Sequence, residues 1–287
     1  MTTGIAIPQA EKAAAPAGWI ARHPLLTMYL IMLGVEFTDA TLHILYSRGL
    51  ISFKVPDGLA FVLSILHPLV AAAVVTVAIS GRKGLRGLFS RFLIWRVSGW
   101  WYLFIFAFYA IDMLAGNSLN AAFGGAKSVL PVAGDPLWAI PIKFGLFLLF
   151  GLLTNTEEIA WRGVALPLLK SRYNNALIAA LLVAIPEALL HAPDYFVDEM
   201  NFRKSVGALM FTIFTVALSV IFAWVFLNTK GSLLIVTLFH ASGNAWSNLL
   251  TDNSIQPFYY SIAIIVIFAI AVVLIYGPKN LSRQANE

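Results

Sequence analysis

Long apolar runs separated by short polar breaks fill the chain from residue 24 to residue 277. Eight runs, at about 24–46, 59–80, 97–115, 137–168, 174–192, 206–228, 231–250 and 257–277, are long enough, or nearly so, to cross about 30 Å of hydrocarbon as helices. Only helices and closed barrels satisfy their backbone groups in lipid. The pattern therefore predicts an all-α, polytopic membrane protein with about eight transmembrane helices in one membrane-embedded domain, residues 24–278. Residues 1–23 read as a flexible cytoplasmic tail with no apolar core of signal-peptide length, and residues 279–287 as a second cytoplasmic tail.

Composition and charge sharpen this picture. The 287 residues are 60% hydrophobic and 11% charged, where soluble domains carry about 25% charge. The net charge of +5 lies in the connecting loops, which suits orientation in a bilayer and excludes a nucleic-acid partner. With both termini in the cytoplasm, thirteen Lys and Arg residues fall inside and five outside. That bias predicts an N-in, C-in, multi-pass protein of the cell (inner) membrane. There is no cysteine, so disulfides, thiolate zinc sites and a cysteine nucleophile are excluded. The stretch 81–96 puts Leu85, Leu88, Phe89, Phe92 and Leu93 on one stripe with Arg82, Arg86 and Arg91 mostly off it, as expected of a helix in the cytoplasmic interface.

Against this background the polar residues inside apolar segments stand out. Thr156-Glu157-Glu158-Ile159-Ala160-Trp161-Arg162 sets two carboxylates in the fourth segment, where each charge costs about 2.5–3.5 kcal/mol even on insertion scales. Glu158 and Arg162, four apart with the acid first, are spaced for an intrahelical ion pair. Glu157 is turned about 100° from Glu158, which makes it the spare carboxylate. A second cluster, in the fifth segment, places Glu187 and His191 four apart, and a third, in the seventh, places His240 and Asn244 four apart. At 1.5 Å per residue, Glu157, His191 and His240 fall about 16, 25 and 14 Å from the cytoplasmic side, and a kink at Pro186 or a tilt would bring them level. A shared intramembrane polar chamber is then expected. A carboxylate, two imidazoles and an amide suit water-driven acyl hydrolysis. In that chemistry Glu157 takes a proton from water, a histidine holds the water, and His240 and Asn244 donate to the oxyanion.

Elsewhere, Glu36, Asp39 and His43 share one face of the first segment, as a proton path, a metal half-site or a buried network. Lys143 is the expected partner of Asp39 or Glu36. His67 and His23 read as packing or interfacial residues. Signatures of other intramembrane proteases are missing: there is no His-Glu-x-x-His and no Gly-x-Ser-x-Gly, and Val132-Ala133-Gly134-Asp135 lacks the first glycine of an aspartyl motif. Ser242, two residues from His240, lies on the wrong face to be activated by it.

Glu-Glu-x-x-x-Arg, then a histidine motif, then His-x-x-x-Asn on separate helices resembles the type II CAAX prenyl endopeptidases and their bacterial relatives, the CPBP (ABI) superfamily of intramembrane proteases. The resemblance covers about residues 137–250, the motif core of the domain. It implies peptide-bond hydrolysis inside the membrane, with Glu157 as the water-activating base, His191 holding the water, His240 and Asn244 as the oxyanion site, and Glu158 and Arg162 in support. The substrate it implies is a peptide or membrane protein, prenylated in the eukaryotic members. One position departs from the family pattern, since Glu187 stands where an aromatic is expected. Glu187 would orient His191 or add a metal ligand. No cofactor is favoured, although Glu157, His191 and His240 form the set that would hold zinc. Two readings of other kinds stay open. One is a non-catalytic scaffold or bacteriocin-immunity member of the same fold. The other is a proton-coupled transporter using Glu36, Asp39, Lys143 and Glu187. Polar side chains that merely glue helices together remain the bland alternative.

Overall fold

A computed structural model describes residues 18–196, 201–252 and 254–283; the expected N-terminal tail up to residue 17 and the last four residues lie outside them. Among the described residues the chain is all helix, without strands. The main helices are α1 (Pro24–Ser47), α2 (Asp57–Ser90), α3 (Gly99–Ala122), α4 (Ala139–Thr154), α5 (Glu157–Tyr173), α6 (Ala176–Leu190), α7 (Ala208–Asn228), α8 (Leu233–Leu250) and α9 (Ile255–Tyr276). Five of them, α1, α2, α3, α7 and α9, are long and apolar enough to cross a bilayer, and α4 with α5, bent by 50° at a short break, makes a sixth if the pair is one broken span and not a re-entrant loop. This is an all-α polytopic membrane protein. Each of the eight predicted segments contains helix, yet length and composition support five or six crossings. The two left over are α6, with 15 residues, and α8, whose apolar run is diluted by His240, Ser242, Asn244 and Asn248. These are the helices that carry the second and third polar clusters.

Helix α8 is walled in by protein: it packs on α4 along one side and on α3 along another, while α7 lies between α6 and α9. An aromatic cluster fixes this arrangement. Phe104 of α3 meets Trp224 of α7 edge-on at 5.1 Å, and Phe239 of α8 lies 4.8 Å from both Tyr109 of α3 and Phe222 of α7. Such pairs add about 0.5–1.5 kcal/mol each beyond area burial, and they hold α8 one residue away from His240. Asp112, a buried acid of α3, accepts the hydroxyl of Ser261 on α9, a polar tie between two apolar spans.

The α4–α8 approach depends on Gly151. A Cβ there would sit 3.0 Å from both Cα and Cβ of Ala241, and backbone-anchored atoms cannot swing aside. Gly151→Ala is therefore expected to lower thermal stability in detergent by about 1–3 kcal/mol. Gly145→Ala on the same helix, where a Cβ meets nothing within 4 Å, is expected to be neutral or slightly stabilising. Equal melting curves for the two variants would contradict the close contact.

The expected interfacial segment is a bent continuation of α2. Gly81 adopts φ 60°, ψ −159°, backbone that a side chain would resist, and the chain turns there before a 3₁₀ turn at Arg91–Leu93. The apolar stripe divides: Leu88 is buried against the core with Phe92 packed on it, while Phe89 and Leu93 stay exposed. Arg91 donates to the Gly163 carbonyl at 3.3 Å. That carbonyl lies in a π-type turn, Trp161–Ala165, whose widened ladder departs from ordinary helical pairing.

Candidate active site

The predicted fourth segment is not one helix. It breaks at Asn155 (φ −78°, ψ 55°) and bends by 50°. The break makes Glu157 and Glu158 the first turn of a new helix, where unpaired backbone N–H groups favour carboxylates. Thr156 donates its hydroxyl to the Ile65 carbonyl of α2 and ties the break to that helix.

Glu158 and Arg162 are fully buried and paired at 3.3 Å, as their spacing predicts. Arg162 also forks onto Glu187, donating from Nη1 to Oε1 at 2.7 Å and from Nη2 to Oε2 at 3.1 Å. Its Nη2 further donates to Ser219 Oγ at 3.4 Å, and its guanidinium carbon lies 4.4 Å from the centre of the Phe222 ring. Glu187 thus gives both carboxylate oxygens to Arg162, a partner 25 residues away, in place of the expected role of orienting His191. His191 caps the end of α6, with Nδ1 3.5 Å from Asp194 and its ring edge-on to Phe211.

His240 stands between the two adjacent acids. Its Nδ1 donates to Glu158 Oε1 at 2.8 Å, which fixes the ring, and its Nε2 lies 3.4 Å from Glu157 Oε1. Phe222 packs edge-on against the same imidazole at 5.6 Å. Glu157 and His240 side chains are 20% and 23% exposed, so both remain reachable beside the fully covered Glu158. Asn244 is exposed and donates one amide hydrogen to Asn155 Oδ1 at 3.1 Å, keeping a second for another acceptor.

Glu157 and His191 line one cavity of about 130 Å³ together with Glu36, Ser64, His67, Pro68, Thr154 and Leu190. At about 30 Å³ per molecule it has room for a few waters or a reacting bond. The three predicted clusters therefore meet around Glu157, with His191 across the cavity and His240 at its side. Three participants were not read from the sequence in this role. Asn155 looked like part of a continuous apolar segment. Asp194 follows His191 by three residues in His191-Ala192-Pro193-Asp194, a spacing that was available to find it. His67, by sequence, is a packing or interfacial residue. Lys143 pairs with Asp135 at 2.6 Å, eight residues back across a loop, and not with Asp39 or Glu36; this removes the cation from the proposed proton relay.

Among the described residues no group of three His, Asp or Glu side chains converges closely enough to hold a metal ion. The set Glu157, His191 and His240 does not fit one in this conformation.

Residues 136–246 match the family model described as type II CAAX prenyl endopeptidase Rce1-like. It is this segment of the chain that resembles the family. It coincides with the motif core that the sequence motifs marked, and it contains Glu157, Glu158, Arg162, Glu187, His191, His240 and Asn244. CAAX prenyl protease 2 of Methanococcus maripaludis (strain S2) is 29% identical over 168 residues, 57% of this chain and 60% of that relative. The matched stretch thus spans about three-fifths of the curated relative's length. The matched segment runs from the last turn before α4 to the last third of α8, so it includes every predicted site residue and leaves out α1, α2, α3 and α9.

Proposed function

We propose that this chain is an intramembrane endopeptidase of the CAAX-processing type, in which Glu157 activates water. The observation that carries the reading is the placement of Glu157: a partly exposed carboxylate 3.4 Å from His240 Nε2, lining one cavity with His191. Glu157 takes a proton from a water held by His191, and the hydroxide adds to the carbonyl carbon of the peptide bond. His240, protonated on both ring nitrogens beside the two carboxylates, donates its Nε2–H to the oxyanion together with the second amide hydrogen of Asn244. As the tetrahedral intermediate collapses, Glu157 returns the proton to the leaving nitrogen, giving an amine and a carboxylic acid, whose proton passes to the amine so that the products leave as ammonium and carboxylate. Glu158 holds His240 through Nδ1, and Arg162 with Glu187 holds Glu158, so the imidazole meets the reaction already oriented.

The substrate is a peptide or a membrane-protein segment, presented from the bilayer. Counted on eight crossings, and leaving out the buried Arg162 from the thirteen, the Lys and Arg bias of twelve against five supports both termini in the cytoplasm and a cell (inner) membrane location. The mechanism needs no metal. The test is cleavage, in detergent, of a CAAX peptide in prenylated and unprenylated forms, with and without a chelator. Cleavage is expected to survive the chelator at an unchanged rate. Cleavage abolished by chelation and restored by zinc would overturn the metal-independent mechanism, and no cleavage of either peptide would count against the CAAX-type substrate.

A further inference from the structure

The first two helices lie outside the matched segment, yet they help wall the cavity: α1 contributes Glu36, and α2 contributes Ser64 and His67. His67 is 6% exposed and its Nδ1 lies 2.9 Å from the Leu63 carbonyl one turn back. A carbonyl only accepts, so Nδ1 carries the hydrogen and the neutral ring keeps its lone pair on Nε2. That Nε2 is buried and has no hydrogen-bond partner among the described residues. Buried acceptors without partners are rare and costly, and each calls for an explanation such as a catalytic role or a bound water or ion. The turn that carries His67 is also fixed relative to the reacting acid, because Thr156, next to Glu157, donates to the Ile65 carbonyl.

We propose that His67 is a substrate-binding residue of this site, whose Nε2 accepts the N–H of the amide bond being cleaved. The inference rests on the peptidase reading and deepens it. In that reading Glu157 and His191 serve the water, and His240 and Asn244 serve the carbonyl oxygen. The amide N–H is the one polar atom of the reacting bond left without a partner, and His67, which lines the same small cavity, carries an acceptor of the right kind. Held there, the nitrogen stays on the α2 side while the carbonyl oxygen turns toward α8.

The test compares kcat/KM of wild type, His67→Leu and His67→Gln on a peptide and on its ester analogue, in which oxygen replaces the scissile N–H. His67→Leu is expected to lower kcat/KM for the amide about tenfold or more and to leave the ester within about twofold. His67→Gln, whose Oε1 can accept, recovers most of the amide activity. Equal losses on amide and ester, or no loss on the amide, overturn the proposal, since a merely structural histidine would slow both alike. A second measurement avoids substitution at His67: in Glu157→Gln, which should bind without turnover, the amide peptide is expected to bind about tenfold tighter than the ester, and equal affinities overturn the proposal. If wild type cleaves neither substrate the peptidase reading itself fails, and the role of His67 fails with it.

Discussion

Glu157→Gln is expected to lower kcat for peptide cleavage by about 10²- to 10⁴-fold, the usual contribution of a positioned general base, while the protein stays folded. Glutamine keeps the size of the side chain and can still meet His240 Nε2, but it has no oxygen basic enough to take a proton from water. Glu157 is partly exposed to the cavity and does not belong to the buried ion-pair cluster, so its removal leaves the Arg162 contacts intact. Catalysis should fall without a comparable fall in melting temperature. Turnover numbers and thermal melts of the same detergent preparation check both halves of the statement.

Arg162→Leu is expected to act the other way, through the fold. The guanidinium is 1% exposed and serves Glu158, Glu187 and Ser219 at once. Removing it leaves two buried carboxyl groups without their cation. Breaking a buried pair by deleting one partner costs about 3–5 kcal/mol, enough to prevent recovery of a monodisperse protein. Glu187→Gln should be much milder, within about 1 kcal/mol, because Arg162 keeps Glu158 and an amide oxygen still accepts from its fork. Thermal melts of the two variants separate the cases. A stable Arg162→Leu protein would mean that the cluster contributes little to holding α5, α6 and α7 together.

The contrast between Glu157 and Arg162 also marks what could be read from the chain alone. The Glu158–Arg162 pair follows from a spacing of four on a helix, and the freedom of Glu157 follows from the same geometry one residue earlier. Both are local, and both appear as expected. The apolar pattern likewise marked where the helices run. By length and composition alone only five or six of these helices qualify as crossings, since α6 is short and α8 is polar enough to be sheltered by its neighbours. Tertiary choices of partner left no such trace. Arg162 is shared with Glu187 from 25 residues away, Asn244 donates to Asn155 from 89 residues away, and Lys143 turns back to Asp135. Each acid or amide had several plausible partners by hydropathy alone, and packing decided among them. The break at Asn155 was hidden for a related reason: Asn155 and Thr156 interrupt a run apolar enough to read as one helix, and the bend depends on α2 accepting Thr156. A single histidine before a proline in an apolar run carries no pattern, so His67 became visible only with the cavity it lines.

In the proposed mechanism Glu157 acts as a base on water and never becomes bonded to the substrate. A single turnover in ¹⁸O-labelled water, with enzyme in excess and the products and the Glu157-containing peptide weighed by mass spectrometry, tests this directly. One ¹⁸O is expected in the new carboxylate of the cleaved peptide and none in Glu157. Label in Glu157 would show that its carboxylate attacked the carbonyl itself, and would contradict the mechanism.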